Sequence, residues 1–273
     1  MTTFAHADAT GLLTPEHLLT VGVAVVSLVA YQWATAPRNG AARRARSRRR
    51  LWCWRVAIAS IVVVQLPPFD GWVEESFAAH MVQHVVLLSV SAPLLVLARP
   101  GAAAGAVARA AGWSSSTLDR VRHASSVLCS PAVCWAAVVG YVWAVHFSPV
   151  YDLAVRNDAV HLAEHVGFLV AGVLAWVPVL GPRHLALPDP LAVLYVMVLM
   201  PALTFCGLTL FSADHTLYSS YADQADPLGD QRVGGMLMWI LPGAALLPLV
   251  LWLVVRWWRR EEREIALVEG AGR

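Results

Sequence analysis

The 273-residue sequence contains no lysine, and Asp, Glu, Lys and Arg together make up only 14% of it. Soluble domains carry ~25% charged residues, so this shortage argues against an ordinary water-soluble enzyme. Cysteine is scarce too. Cys53, Cys129, Cys134 and Cys206 form no Cys-x-x-Cys or related spacing, which leaves neither a disulfide framework nor a structural zinc module. Gly-x-Ser-x-Gly, a phosphate-binding loop and His-Glu-x-x-His are all missing, so the usual hydrolase, nucleotide and zinc-peptidase chemistries have no foothold and a non-enzyme is expected. The basic residues are all arginine and fall in clusters, which does not make the continuous basic surface that a nucleic acid needs.

What is present is apolar. Hydrophobic residues make up 58% of the chain and the mean hydropathy is +0.59. A bilayer core takes about 20 apolar residues per helix, and seven stretches qualify, at residues 17–36, 51–68, 77–97, 129–147, 158–179, 190–211 and 234–258. The expected fold is an all-α integral membrane protein with seven transmembrane helices. It forms a single polytopic domain over residues 1–273, with a core at 17–258 and a tail at 259–273. The first span has no basic segment before it and reads as a retained helix. Arginines 38–50, 99–122, 183 and 256–273 all fall on one side of this topology, and Arg156 and Arg232 are on the other with most of the loop carboxylates. The positive-inside rule then places the N-terminus outside and the C-terminus in the cytoplasm. The run at 43–50 also suits contact with anionic membrane lipid. The twelve tryptophans suit interfacial anchoring.

Ten histidines are many for such a chain. In the expected topology His80, His84, His161 and His165 lie in the outer turns of the third and fifth spans. His146 closes the fourth span and His215 follows the sixth, so six histidines meet in one leaflet. His6 and His17 read as terminal or surface residues. A spacing of four leaves two helical side chains about 40° apart and ~6 Å along the axis, so each His-x-x-x-His pair can grip one ion from one face. Glu164 shares the face of the second pair, as a ligand or as an orienter of an imidazole. Residues 80–88 and 161–169 read alike, His-Met-Val-Gln-His-Val-Val-Leu-Leu and His-Leu-Ala-Glu-His-Val-Gly-Phe-Leu. Spans three–four and five–six therefore read as a duplicated helical hairpin.

The candidate metal ligands are His80, His84, His146, His161, His165 and His215, with Met81, Glu164, Asp230, Met236 and Met238 as supporting residues. Imidazole suits copper, zinc and iron, and thioether selects Cu(I), so the mixed His and Met surroundings favour copper over zinc. One heme b between spans three and five is the competing reading. A third is a metal-free scaffold in which the histidines only hydrogen-bond between helices.

Several stretches, in this order, resemble the CtaG family of caa3-type cytochrome c oxidase assembly factors, seven-span bacterial membrane proteins. They are His80-Met-Val-Gln-His84 running on to Pro93-Leu-Leu and Arg99-Pro100, then His146-Phe-Ser-Pro-Val-Tyr-Asp152 leading into His161-Leu-Ala-Glu-His165. The sixth span with Pro201, Phe211-Ser-Ala-Asp-His215 and the segment Asp230 to Trp239 complete the set. The resemblance spans residues 17–258. It implies a multi-pass protein of the bacterial plasma membrane that works with cytochrome c oxidase subunits. It further implies a metallochaperone that takes copper from an external copper donor at the outer face. Some relatives carry an additional copper-resistance-type membrane domain, which residues 1–273 do not include.

Protonated imidazole cannot ligate, so copper affinity is expected to fall as pH drops through the histidine range, ~6.5. Titrations that find it flat between about pH 5 and about pH 8 would count against histidine ligation.

Overall fold

The structure is a computed structural model that describes residues 15–35 and 41–271, and every statement below concerns those residues. His6 lies outside them. The described chain is helical, with no strand. Its helices are α1 (Pro15–Ala34), α2 (Ala41–Val64), α3 (Phe69–Glu75), α4 (Phe77–Val86), α5 (Ala92–Ala98) and α6 (Pro100–Ala110). There follow α7 (Ser115–Leu128), α8 (Pro131–His146), α9 (Val150–Arg156), α10 (Asp158–Leu180), α11 (Asp189–Phe211) and α12 (Pro227–Ala271).

Five segments are long and apolar enough to cross a membrane, and a sixth counts if α7 and α8, bent by 60°, form one span. This fits a multi-pass membrane protein. The second expected span, 51–68, is where the count departs from seven. Helix α2 begins back in the arginine run and stops at Val64, so its apolar part from Leu51 is 14 residues, only ~21 Å of helix. Pro67 and Pro68, which cannot donate to a helix, follow after Gln65 and Leu66. His17 also departs from its surface assignment, being buried with Nε2 3.1 Å from Asp70 Oδ2.

Helix α10 is the centre of the bundle and packs on α8, on α5 with the segment just before it, and on α9. Helix α1, by contrast, has most of its apolar side chains exposed, Val26 and Trp33 among them, as expected of a helix facing lipid. Helices α11 and α12 are the most extensively packed pair, and glycine explains their approach. A Cβ on Gly207 would sit 2.7 Å from the Gly235 carbonyl oxygen, and one on Gly235 would sit 2.6 Å from the Phe211 nitrogen. Small residues of this kind let membrane helices meet backbone to backbone.

Between α4 and α5 the chain makes a single π-helical turn, Leu87–Ser91. The cause lies in Pro93, which has no N–H. With the Ala92 N–H bonded to the Leu87 carbonyl and Pro93 unable to donate, the Leu88 carbonyl has no partner within its own helix. The Trp176 indole of α10 donates to it at 2.8 Å. Gly172, one turn earlier, lies flat against the same segment, where an added Cβ would be 2.7 Å from Ala92 Cβ and 3.2 Å from Leu88 Cα.

Gly172→Ala is therefore expected to lower the stability of the detergent-purified protein by about 1–3 kcal/mol through overpacking. Gly22→Ala, where nothing lies within 4 Å, should leave thermal unfolding unchanged. Equal melting temperatures for the two variants would show that α10 has room to move.

Candidate metal centre

Two copies of one local frame carry the histidines. The seven-residue helices α3 and α9 are each followed by one extended residue, Ser76 (φ −146°, ψ 121°) and Asn157 (φ −145°, ψ 113°). Each of these caps the next helix by accepting a backbone N–H three residues on, from Ala79 at 3.2 Å and from Val160 at 3.1 Å. Capping of this type satisfies donors that the first helical turn leaves open. The histidines then fall at four and eight residues past the cap in both frames, His80 and His84 in one and His161 and His165 in the other.

The N-terminus of α4 has a second anchor. Asp230 in the first turn of α12 accepts from Ser76 Oγ at 2.8 Å, from the Phe77 N–H at 2.6 Å and from the Ala78 N–H at 3.4 Å. A carboxylate at that position opposes the positive end of the helix dipole. Asp230 thus holds the backbone beneath His80 and does not itself reach the histidine group.

At the meeting of α4 and α10, one ligand atom each from His80, His84, Glu164 and His165 lies within 4.8 Å of the others. His80 Nε2 is 3.4 Å from Glu164 Oε2, and His84 Nε2 is 3.6 Å from Glu164 Oε1. These gaps exceed the usual N–H···O length of ~2.9–3.0 Å. They match the ~3.3–3.6 Å between neighbouring ligands of a tetrahedral ion with bonds of ~2.0–2.2 Å. The residues are fully buried. Neither Glu164 oxygen, neither nitrogen of His84 or His165, nor His80 Nε2 makes a hydrogen bond. Buried polar atoms without partners are costly, and this many on one spot is what an ion-binding group offers. The donor set of three imidazoles and a carboxylate suits a first-row transition ion.

His80 is held from behind. Its Nδ1 lies 3.0 Å from the Tyr151 hydroxyl and 3.3 Å from that of Tyr221, and Tyr221 donates to the Val73 carbonyl at 3.0 Å. A path from Nδ1–H through the tyrosines to that carbonyl uses each proton once. It leaves the Nε2 lone pair facing Glu164, the arrangement in which an outer hydrogen bond sets the tautomer of a ligand histidine. Phe168 stacks on His84 with ring centroids 3.8 Å apart. Phe77, Tyr151, Tyr218 and Tyr221 complete an aromatic cover over this end of the bundle.

The other expected residues are placed as follows. His161 lies half-buried one turn from His165, with ring centroids 4.9 Å from His80 and 4.2 Å from His165, at the edge of the four-residue group. His146 is buried 5.6 Å, ring to ring, from His84, and its Nε2 is 3.3 Å from Met81 Sδ. His215 is not brought in. Its side chain is 73% exposed and pairs with Asp214 at 2.9 Å, because Gln231 holds the surrounding loop by its backbone, at Leu217 N–H and the His215 carbonyl. Met236 is exposed on α12, and Met238 packs against Gly207 of α11. Glu164 stands among the ligand atoms themselves, closer in than an orienting role requires.

Tyr151, Tyr218, Tyr221 and Phe168 were not legible as site residues. Phe168 follows His165 by three and so shares its face, and Tyr151 stands inside the His146–Asp152 motif. The tyrosines at 218 and 221 carry no such signal. The loop that bears them, with its 3-10 turn Ser219–Tyr221, is latched by Asp152. Oδ1 accepts from the Ser220 N–H at 2.9 Å and hydroxyl at 2.7 Å, and Oδ2 from the Ser219 hydroxyl at 3.0 Å and N–H at 3.3 Å. The Arg156 guanidinium donates to both serine hydroxyls.

A helical membrane protein with a buried three-histidine, one-glutamate group under an aromatic cover is the class that this fold and site define. The family model described as cytochrome c oxidase caa3 assembly factor (Caa3_CtaG) matches residues 29–260, and the chain belongs to that family. Uncharacterized proteins of Mycobacterium bovis and Mycobacterium tuberculosis are each 25% identical to it over 231 residues, 78% of this chain and 35% of theirs. One of Mycobacterium leprae is 24% identical over the same shares. The chain thus matches about a third of the length of these curated relatives. No solved structure matches.

Partial burial alone would raise the Asp152 carboxyl, but the hydrogen bonds from Ser220 and Ser219 outweigh it and hold the group below its ordinary 3.8. A carboxyl lowered in the folded state contributes stability above its unfolded value and loses it as pH falls through the folded one. The 219–221 loop is therefore expected to resist limited proteolysis from neutral pH down to 3.8 and to open only in stronger acid. In Asp152→Ala it should be cleaved readily at neutral pH. Equal cleavage of the two proteins at neutral pH would show that the latch does not hold the loop.

Proposed function

We propose that the chain is a non-catalytic assembly factor that binds copper as cargo and passes it to a caa3-type heme–copper oxidase. The observation that carries this reading is the group of unpartnered buried donors on His80, His84, Glu164 and His165, in a chain of the oxidase assembly-factor family. In the proposed topology, α2 from Leu51 and α8 each cross with the help of their neighbours, which gives seven spans. The arginine-rich connections and tail lie in the cytoplasm of a bacterium, and the histidine end of the bundle faces outward. Copper enters from an external donor, rests among neutral imidazoles and one carboxylate, and leaves by ligand exchange to an oxidase subunit docked alongside.

The carboxylate does two things in this scheme. It offsets the charge of the ion in a low-dielectric interior, where an unpaired charge is costly. It also draws His80 and His84 to one side of α10, so that the ligand atoms converge before the ion arrives. The packing favours a bare ion over heme b, since the imidazole rings of His80, His84 and His165 lie only 4.5–5.5 Å apart and Phe168 stacks directly on His84. A macrocycle has no slot between them.

The test is metal analysis with an absorption spectrum on protein purified from membranes, beside His80→Ala/His165→Ala and Glu164→Gln. Copper near one or two equivalents in the wild type, lost in the double variant and without a Soret band, is the expected result. Cells carrying either variant should assemble less active caa3 oxidase, and added copper should restore part of it. A Soret band lost in the double variant would move the protein to the heme reading. Neither metal nor heme in the wild type, with normal oxidase assembly in the variants, would leave a metal-free scaffold.

A further inference from the structure

The four-residue group does not account for a second pair of buried donors beside it. His146 ends α8, and its Nδ1 is 2.7 Å from the Val142 carbonyl. A carbonyl oxygen can only accept, so Nδ1 carries the proton and, in the neutral ring, Nε2 presents a bare lone pair. That nitrogen lies 3.3 Å from Met81 Sδ. A thioether sulfur is itself an acceptor with no proton to give. Two electron-pair donors thus stand tip to tip in a dry interior, Met81 at 0% and His146 at 2% exposure. The ring of His146 is not free to turn away. The Val142 bond fixes the ring of His146, Tyr218 donates to the His146 carbonyl at 3.0 Å, and Phe168 lies edge-on to the ring at 5.8 Å. The contact is unfavourable as it stands and becomes favourable if a cation is shared between the two.

We infer that His146 Nε2 and Met81 Sδ form a soft two-donor subsite for a monovalent thiophilic ion, Cu(I), adjoining the harder His80–His84–Glu164–His165 group. Thioether sulfur selects Cu(I), and a carboxylate with imidazoles suits divalent ions, so the two neighbouring donor sets differ in the ion they prefer. The spacing agrees. With a nitrogen of His84 completing the coordination, an ion bound at ~2.0 Å to the His146 nitrogen and ~2.3 Å to sulfur at a tetrahedral angle holds them ~3.5 Å apart, within a few tenths of an ångström of the 3.3 Å found. His84 stands between the two sets. Its ring is edge-on to His146 at 5.6 Å and to His165 at 5.4 Å, and both its nitrogens are without hydrogen bonds, so it can serve either. The inference rests on the metal reading of the neighbouring group and deepens it, by giving the cargo an oxidation state and a place to sit in it.

The experiment uses the full chain in detergent, Met81→Leu and Glu164→Gln. Each protein is titrated with Cu(I) released from its bicinchoninate complex and, separately, with Zn(II). Leucine nearly conserves the volume of methionine, and retained Zn(II) binding reports that the centre is still assembled. Met81→Leu is expected to weaken Cu(I) about tenfold or more while Zn(II) affinity changes less than about threefold. Glu164→Gln should weaken Zn(II) about tenfold or more. X-ray absorption at the copper edge should show one sulfur at ~2.3 Å in the wild type and none in Met81→Leu. Equal Cu(I) affinity in wild type and Met81→Leu, with no sulfur neighbour, would overturn the subsite. So would a wild type that binds Zn(II) but no Cu(I), and either result would leave the four-residue centre standing. A wild type that binds neither ion would overturn the metal reading itself and the subsite with it.

Discussion

A carboxylate and several imidazoles buried together in an apolar helix bundle need a positive charge among them, and the rest of this structure depends on that requirement. Glu164 faces His80 and His84 at 3.4 and 3.6 Å, where either an imidazolium or a bound cation supplies that charge. In a low-dielectric interior such a group is expensive unless a cation is present. The bundle nevertheless builds it with care, by capping both histidine helices, anchoring one of them to Asp230, and covering the cluster with tyrosines. This investment is hard to account for in a site whose only task is packing.

The irregular features of the fold serve the same end. The π-turn after α4 lies directly beyond His84 and is locked to α10 by Trp176. That lock fixes the rotation of the helix bearing His80 and His84 against the helix bearing Glu164 and His165. A π-turn changes the phase of the helix beyond it, so α5 can pack on α2 and α10 while α4 keeps its histidine face inward. The short helices α3 and α9 set the entry of the two histidine helices in the same way. The equivalence of Ser76 and Asn157 in backbone angles and in capping extends the likeness of the two histidine segments from sequence to local structure.

Membership of the caa3 assembly-factor family is the context in which the proposed function gives the buried group a transition metal. The wall of the centre joins a hard donor set to a soft one, with His84 between. A carrier that must both hold an ion and release it benefits from donors that can be exchanged one at a time. Each step then replaces one bond and never strips the ion bare.

The sequence by itself determined the helical class, the apolar segments and the pairing of histidines on helical faces, because hydropathy and the 3.6-residue repeat are local properties. It brought His80, His84 and His165 forward as partners, since a spacing of four leaves little freedom in where two side chains point. Only the tertiary structure decided which further groups join them. Glu164 moves in among the ligand atoms because α10 turns that face toward α4. His146 and Met81, 65 residues apart, meet side chain to side chain from α8 and α4, and no local pattern encodes their contact. His215 stays outside because Gln231 ties its loop by the backbone and leaves the imidazole in the open. The tyrosine cover was invisible for the same reason. Tyr218 and Tyr221 sit in a loop with no periodicity, and Asp152, far away in the chain, places them.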